Sequence, residues 1–252
     1  MPDKDLYKLP LSDADWNGIF AELKKNRHLL FLHPEWRLLI AKRRAAYFGH
    51  QAMIDALLDT SISYTLDWNS KQMDGFVEGN FRRLVFPLYA IDFVWLNAPG
   101  LHVLSIGPRN EMELYLLYAL RFRPDRVKAV DLISNSPLVD IADMHALPFD
   151  DNSFDVVISS WTLPYSKQPR RAAHEVARVC RHNGLVAIGL TRVPSSDPEH
   201  AQIVREGAVP FQTVDEIVEL FSGITPDIVF RHEPVVKTEK GALMVIFRVT
   251  KH

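Results

Sequence analysis

From Leu101 onward the chain alternates short apolar runs with amphipathic ones, the order that builds a parallel sheet covered on both faces. Val103 to Ile106 reads as a first strand, and a helix from about Glu111 to Phe122 follows it. Arg123-Pro124-Asp125 turns the chain into a second strand, Val127 to Asp131. The passage SNSPLVDIADMHALPFDDNS is too polar and too short for a full crossover helix. Phe154 to Ser159 (FDVVIS) is a continuous apolar run rich in β-branched residues, the pattern of a central strand buried on both sides. A helix from about Pro169 to Arg181 holds Cys180 and is closed by His182-Asn183-Gly184, after which Leu185 to Leu190 forms the next strand. Thr213 and Glu216 have capping-box spacing at the head of a helix whose buried face is Ile217, Val218, Leu220 and Phe221. Asp227 to Arg231 and Ala242 to Val249 are two closing strands. The second alternates at Leu243, Val245, Phe247 and Val249, as an antiparallel strand ending the sheet would.

The first hundred residues follow a different period. Ser12 caps a helix to about Asn26, with Asp15 three residues on and Trp16, Ile19, Phe20 and Leu23 at helical spacing. His33-Pro34 breaks the pattern. Further helices are predicted over Glu35 to Phe48, with Lys42, Arg43 and Arg44 outward, and over Gln51 to Leu58. A looser aromatic-rich passage then runs to Asn97-Ala98-Pro99-Gly100, which is turn chemistry and a domain boundary. The expected organisation is a helical extension over 1–100 and an α/β domain over 101–252, doubly wound around a mostly parallel sheet.

Composition narrows the function. The chain has 252 residues, 29 Lys+Arg against 31 Asp+Glu, and a formal charge of -2, so no basic stripe points to nucleic acid. A single cysteine excludes an internal disulfide and an all-cysteine metal site and fits a reducing, cytoplasmic setting. The N-terminus has no apolar core for a signal peptide, and runs such as Val85 to Leu96 are broken by Pro87 and Asp92, so no membrane segment is expected. His33, His50 and the other histidines lack metal-ligand spacing.

The chemistry concentrates in HVLSIGPRNEMEL, His102 to Leu114. A strand running through Gly107 into a helix aims backbone N–H groups and a positive helix end at one spot, which suits a nucleotide or another anionic small molecule. An acidic residue, Asp131, then closes the second strand.

Three blocks together resemble the class I S-adenosylmethionine-dependent methyltransferases, of the type 11-like kind, with a Rossmann-like fold. The family's glycine turn aligns with IGPRNE, its strand-two acid with Asp131 in KAVDLI, and its adenine-site acid with Asp143 in DIADMHALPFDDNSFDVV. RVCRHNGLVAIG, Arg178 to Gly189, resembles the helix and Gly turn before the fifth strand. The resemblance implies S-adenosylmethionine as cofactor and Gly107, Pro108, Arg109, Glu111, Asp131, Leu132, Asp143, Met144 and Ser160 as its binding set. Asp131 would accept from the ribose diol, Asp143 from the exocyclic amine, and Leu132 and Met144 would offer apolar faces to the purine. The bland alternative is that Asp131 and Asp143 are helix caps or solvated loop residues.

The glycine turn departs from the family. Arg109 and Glu111 stand where small residues are usual, and Ser105 replaces the usual acid within the strand. Arg109 could pair with the cofactor's carboxylate and Glu111 with its positive charge, or the turn could be degenerate. The acceptor is expected beyond SSWTLPY, where Trp161 and Tyr165 are either an aromatic wall or packing residues. His145, Tyr165 and His174 are the candidate catalytic groups, each histidine being as readily structural. A small-molecule acceptor is expected under the helical cap, and a homo-oligomer stays open. The competing readings are a non-catalytic subunit of the same fold and, more remotely, a nicotinamide oxidoreductase, for which G-x-G-x-x-G is missing.

Overall fold

The structure is a computed structural model that describes residues 12–26, 29, 84–108, 112–132, 138–236 and 238–251. The helices predicted over 35–48 and 51–58, together with His33, His50, Arg109 and Glu111, lie outside the described residues. Within them, seven strands form one sheet: β1 (Val103–Ile106), β2 (Val127–Asp131), β3 (Asp140–Ile141), β4 (Phe154–Ser160), β5 (Cys180–Arg192), β6 (Thr225–His232) and β7 (Gly241–Thr250). Their order is β3-β2-β1-β4-β5-β7-β6, with β7 antiparallel to both of its neighbours and the rest parallel. The α/β doubly wound expectation is met.

Helices cover both faces. One layer is α2 (Val85–Tyr89), α3 (Asp92–Asn97) and α4 (Met112–Ala119), which bury Leu88, Val94, Leu114 and Leu117 against Val103, Ile158 and Ile246. The other is α5 (Pro169–Val179) and α7 (Val214–Val218), which bury Ala172, Val176 and Ile217 against Leu104, Val157 and Phe247. The sheet is therefore apolar on both sides, which is why its strands read as continuous hydrophobic runs. Two outer helices complete the described part: α1 (Asp13–Lys25), whose cap Ser12 forms the predicted capping box with Asp15, and α6 (Pro198–Arg205), capped by Asp197. Thr213 caps α7 as predicted, accepting from the Glu216 N–H.

Several boundaries shift for identifiable reasons. The helix expected to reach Arg181 ends at Val179, and Cys180 opens β5 instead. Asn183, in the left-handed region at φ 65°, lies within that long strand rather than closing a helix. A bulge in β4 puts both the Asp155 and Val156 N–H groups on the His102 carbonyl, so Phe154 and Val157 face the same layer. β7 is antiparallel as expected but does not end the sheet; it lies between β5 and the exposed edge strand β6. The two-residue β3 inside the polar passage escaped the sequence reading.

One ion-pair clamp leads the chain towards the site. Arg178 donates to Glu175 from Nε (2.7 Å) and Nη2 (2.8 Å), to the Phe149 and Leu147 carbonyls and to Asp151, while Glu175 accepts from the Leu147 N–H at 2.8 Å. These bonds pin the 147–151 loop to α5. The Arg178 guanidinium holds the Glu175 carboxyl below the usual glutamate range. A depressed folded-state value stabilises the fold above the unfolded value, and the contribution fades as pH falls through the folded one. Glu175→Ala is therefore expected to cost about 2 kcal/mol at neutral pH, a difference from wild type that shrinks on acidification below that range in chemical unfolding. Across β5, Cys180 is buried and its thiol is pushed up to about 12 by burial. Native protein is expected to resist a thiol-alkylating reagent at pH 8, with one group labelled once denaturant is added.

Candidate functional site

The carboxyl ends of β1, β2 and β4 and the turn after β3 meet at one rim of the sheet. Gly107, directly after β1, donates its N–H to the Val130 carbonyl at 2.8 Å, tying the turn to β2. Asp131 closes β2 and pairs in register with Ile141, and its carbonyl accepts from the Ala142 N–H at 3.0 Å. That bond places the Asp131 and Asp143 segments side by side. Parallel strands whose loops converge on their carboxyl ends are the usual seat of a nucleotide site. Asp131 and Leu132 are half-buried, while Met144 is buried in the layer of Leu104 and Val157.

Gly107 sits at φ 70° and faces Thr162. A Cβ there would lie 2.0 Å from Thr162 Oγ1 and 2.8 Å from Thr162 Cβ, so Thr162 fills the space that the glycine leaves. The Thr162 hydroxyl lies 3.1 Å from the Ile106 carbonyl, 3.2 Å from that of Ser160 and 3.4 Å from that of Gly107, and it donates its one proton among them. Pro108 and Ser160 are buried beside this contact. The glycine is required by the fold at this point, independently of any ligand.

Under the turn lies a pair that the sequence did not reveal. Ser105 on β1 donates to Glu113 Oε1 at 2.5 Å, and both residues are buried. Glu113 stands in the first turn of α4, is 2% exposed, and its Oε2 has no hydrogen-bond partner among the described residues. A buried carboxylate oxygen without a partner is costly to keep dry and is a ready acceptor for a ligand cation. β1 therefore carries a serine at this position, and the following helix supplies a carboxylate to it.

The candidate catalytic groups separate. His145 Nδ1 lies 2.6 Å from Asp143 Oδ1, and its Nε2 lies 2.6 Å from Ser166 Oγ, so both ring nitrogens are engaged. His174 is on the outer surface of α5 with its side chain 74% exposed, beside Glu175 rather than at the rim. Tyr165 ends the short 3-10 turn Leu163–Tyr165 after β4 and is exposed. Trp161 packs on the helical layer, its ring against Gly189 and its indole N–H on Thr191 Oγ1 at 2.7 Å, as the packing reading requires. Among the described residues no group of His, Cys, Asp and Glu is arranged to hold a metal, and no helix is long and apolar enough to cross a membrane.

Comparison with known proteins agrees with this architecture. Residues 116–188 match a family model described as "Methyltransferase domain". No curated protein matches the chain in sequence. Among the solved structures that share the fold are these two. One is the complex between the Haloferax volcanii Trm112 methyltransferase activator and the putative methyltransferase, 16% identical, with a TM-score of 0.57 over 77% of this chain and 99% of that one. The other is N-methyltransferase NodS from Bradyrhizobium japonicum WM9 in complex with S-adenosyl-L-homocysteine, 15% identical, with a TM-score of 0.51 over 76% of this chain and 99% of that one. A doubly wound sheet with its candidate site at the carboxyl rim is thus joined to a methyltransferase-domain segment in the same chain. The chain has the fold of these solved structures and carries a methyltransferase-domain match over residues 116–188.

Proposed function

We propose that this protein is an active S-adenosylmethionine-dependent methyltransferase whose acceptor is a small molecule with an oxygen or nitrogen nucleophile. The observation that supports the reading is the Ala142–Asp131 backbone hydrogen bond, which brings the segments carrying Asp131 and Asp143 together beyond β2 and β3. In this reading Asp131 accepts from the ribose diol and Asp143 from the exocyclic amine, and Glu113 Oε2 takes the ammonium of the methionine part. The partnerless Glu113 oxygen fits a cationic group, and its carboxylate makes up for the serine at position 105. When bound, the cofactor supplies an electrophilic methyl group on sulfur.

The chain's own work is then to orient the acceptor, exclude water and accept its proton where needed. Thr162 to Tyr165, leaving β4 at the rim, form the nearest wall for an acceptor. The cytoplasmic assignment rests on the lone buried cysteine, and Arg109 and Glu111 keep the roles suggested for them from sequence.

The test is calorimetric titration of the purified protein with S-adenosylmethionine and S-adenosylhomocysteine. Micromolar binding of both supports the reading and justifies an acceptor screen. No binding at millimolar ligand would instead favour a non-catalytic subunit of the same fold.

A further inference from the structure

Asp143, His145 and Ser166 form a continuous line of short hydrogen bonds, and its ends differ sharply in exposure. Asp143 Oδ1 accepts from the His145 backbone N–H at 2.9 Å and faces His145 Nδ1 at 2.6 Å, with the Asp143 side chain 47% exposed. His145 Nε2 faces Ser166 Oγ at 2.6 Å, and Ser166 is fully buried. Ser166 Oγ also accepts from the Gln168 N–H at 3.1 Å, which leaves the hydroxyl proton to point at the imidazole. A neutral histidine with its proton on Nδ1 satisfies every group in the line. The His145 carbonyl is held in turn by Arg171 Nε at 2.9 Å, fastening the segment to α5.

The order of the groups resembles a Ser–His–Asp nucleophile, but the serine is sealed from solvent and cannot meet a substrate. Nor is His145 free to take a proton from an acceptor, because both nitrogens are committed. What the line does is fix one carboxylate. The terminal torsion of an aspartate is broad and two-fold. Two donors on Oδ1 lock it, and Oδ2 alone is left for a ligand.

We propose that His145 is a positioning residue that locks the Asp143 carboxylate, with Ser166 as its buried anchor, and thereby makes the site selective for a 6-amino over a 6-oxo purine. The inference rests on the cofactor reading above. A loose aspartate can swing aside when it meets a 6-oxo group, so an acceptor facing an acceptor costs little. A locked carboxylate cannot, and the mismatch is felt in full. Preorganisation also removes the ordering cost of binding the amine.

The experiment measures S-adenosylhomocysteine and its deaminated counterpart, S-inosylhomocysteine, by calorimetric titration against wild type, His145→Ala, His145→Asn and Ser166→Ala, each checked for a cooperative melt. Wild type is expected to prefer the adenine ligand more than tenfold. His145→Ala should lose most of that preference while its affinity for the inosine ligand moves by less than about threefold. His145→Asn, which can still present an N–H to Asp143, should keep most of the preference, and Ser166→Ala should fall between. A preference unchanged in His145→Ala, both ligands weakening together, would overturn the positioning role; if His145→Ala does not fold, Ser166→Ala decides by the same ratio. Wild type that binds both ligands equally would overturn the lock while leaving the cofactor reading intact. Wild type that binds neither ligand would overturn that reading, and the inference with it.

Discussion

Replacing Asp131 with alanine is expected to weaken S-adenosylhomocysteine binding about a hundredfold or more in a protein that still melts cooperatively. Two charge-assisted hydrogen bonds to a diol, at about 1.5–3 kcal/mol each, set that scale. The backbone ties of Asp131 to β3 survive the change. Its carbonyl accepts from Ala142, and its register with Ile141 does not involve the carboxylate. Titration calorimetry of the variant reads the first effect and a thermal melt the second. Wild-type affinity in Asp131→Ala would remove the diol role and with it the main support for the cofactor.

The second large effect is on stability. Gly107→Ala is expected to cost about 3 kcal/mol, a drop of roughly 10 °C in the melting temperature for a domain of this size. Two causes add. The residue sits at φ 70°, where a Cβ costs about 1–2 kcal/mol. The new carbon would also overlap Thr162, whose hydroxyl is committed to the surrounding carbonyls and cannot simply turn away. Introducing Thr162→Ala into the same chain removes the two nearest atoms and should restore part of the loss, leaving the backbone strain and the 2.8 Å approach to the remaining Cβ. If the double variant is no more stable than Gly107→Ala alone, overlap with Thr162 is not the cause.

Much of the fold was legible because apolar periodicity survives in this chain. β1 and β2 match their predicted limits residue for residue, since each is a short apolar run bounded by turn chemistry. β3 was not legible: two residues, Asp140 and Ile141, cannot show a period, and their strand character comes from pairing with Val130 and Asp131. α2 and α3 were hidden for a related reason. Pro87 and Asp92 read as breaks in one run, whereas they fall inside one short helix and at the start of the next.

The site was legible as a set of acids and opaque as a set of contacts. Gly107 was read as the turn that aims backbone N–H groups at a ligand, and its close neighbour is Thr162, a residue whose importance depends on where the β4 loop returns. Glu113 was not singled out in the sequence, and the fold buries it beside Ser105. Ser166 carried no sequence signal, being one polar residue in a loop, and it becomes the anchor of His145 through the fold alone.

The antiparallel β7 has a consequence for how the chain assembles during synthesis. β5 and β6 are both made before it, yet neither pairs with the other; each waits for the same late strand to fill the gap between them. Until Gly241 to Thr250 emerges, β5 keeps an open row of backbone donors and acceptors flanked by apolar side chains, which is the template for pairing with a foreign strand. A nascent chain halted before this strand should therefore be the form most prone to aggregate and the form most in need of a chaperone.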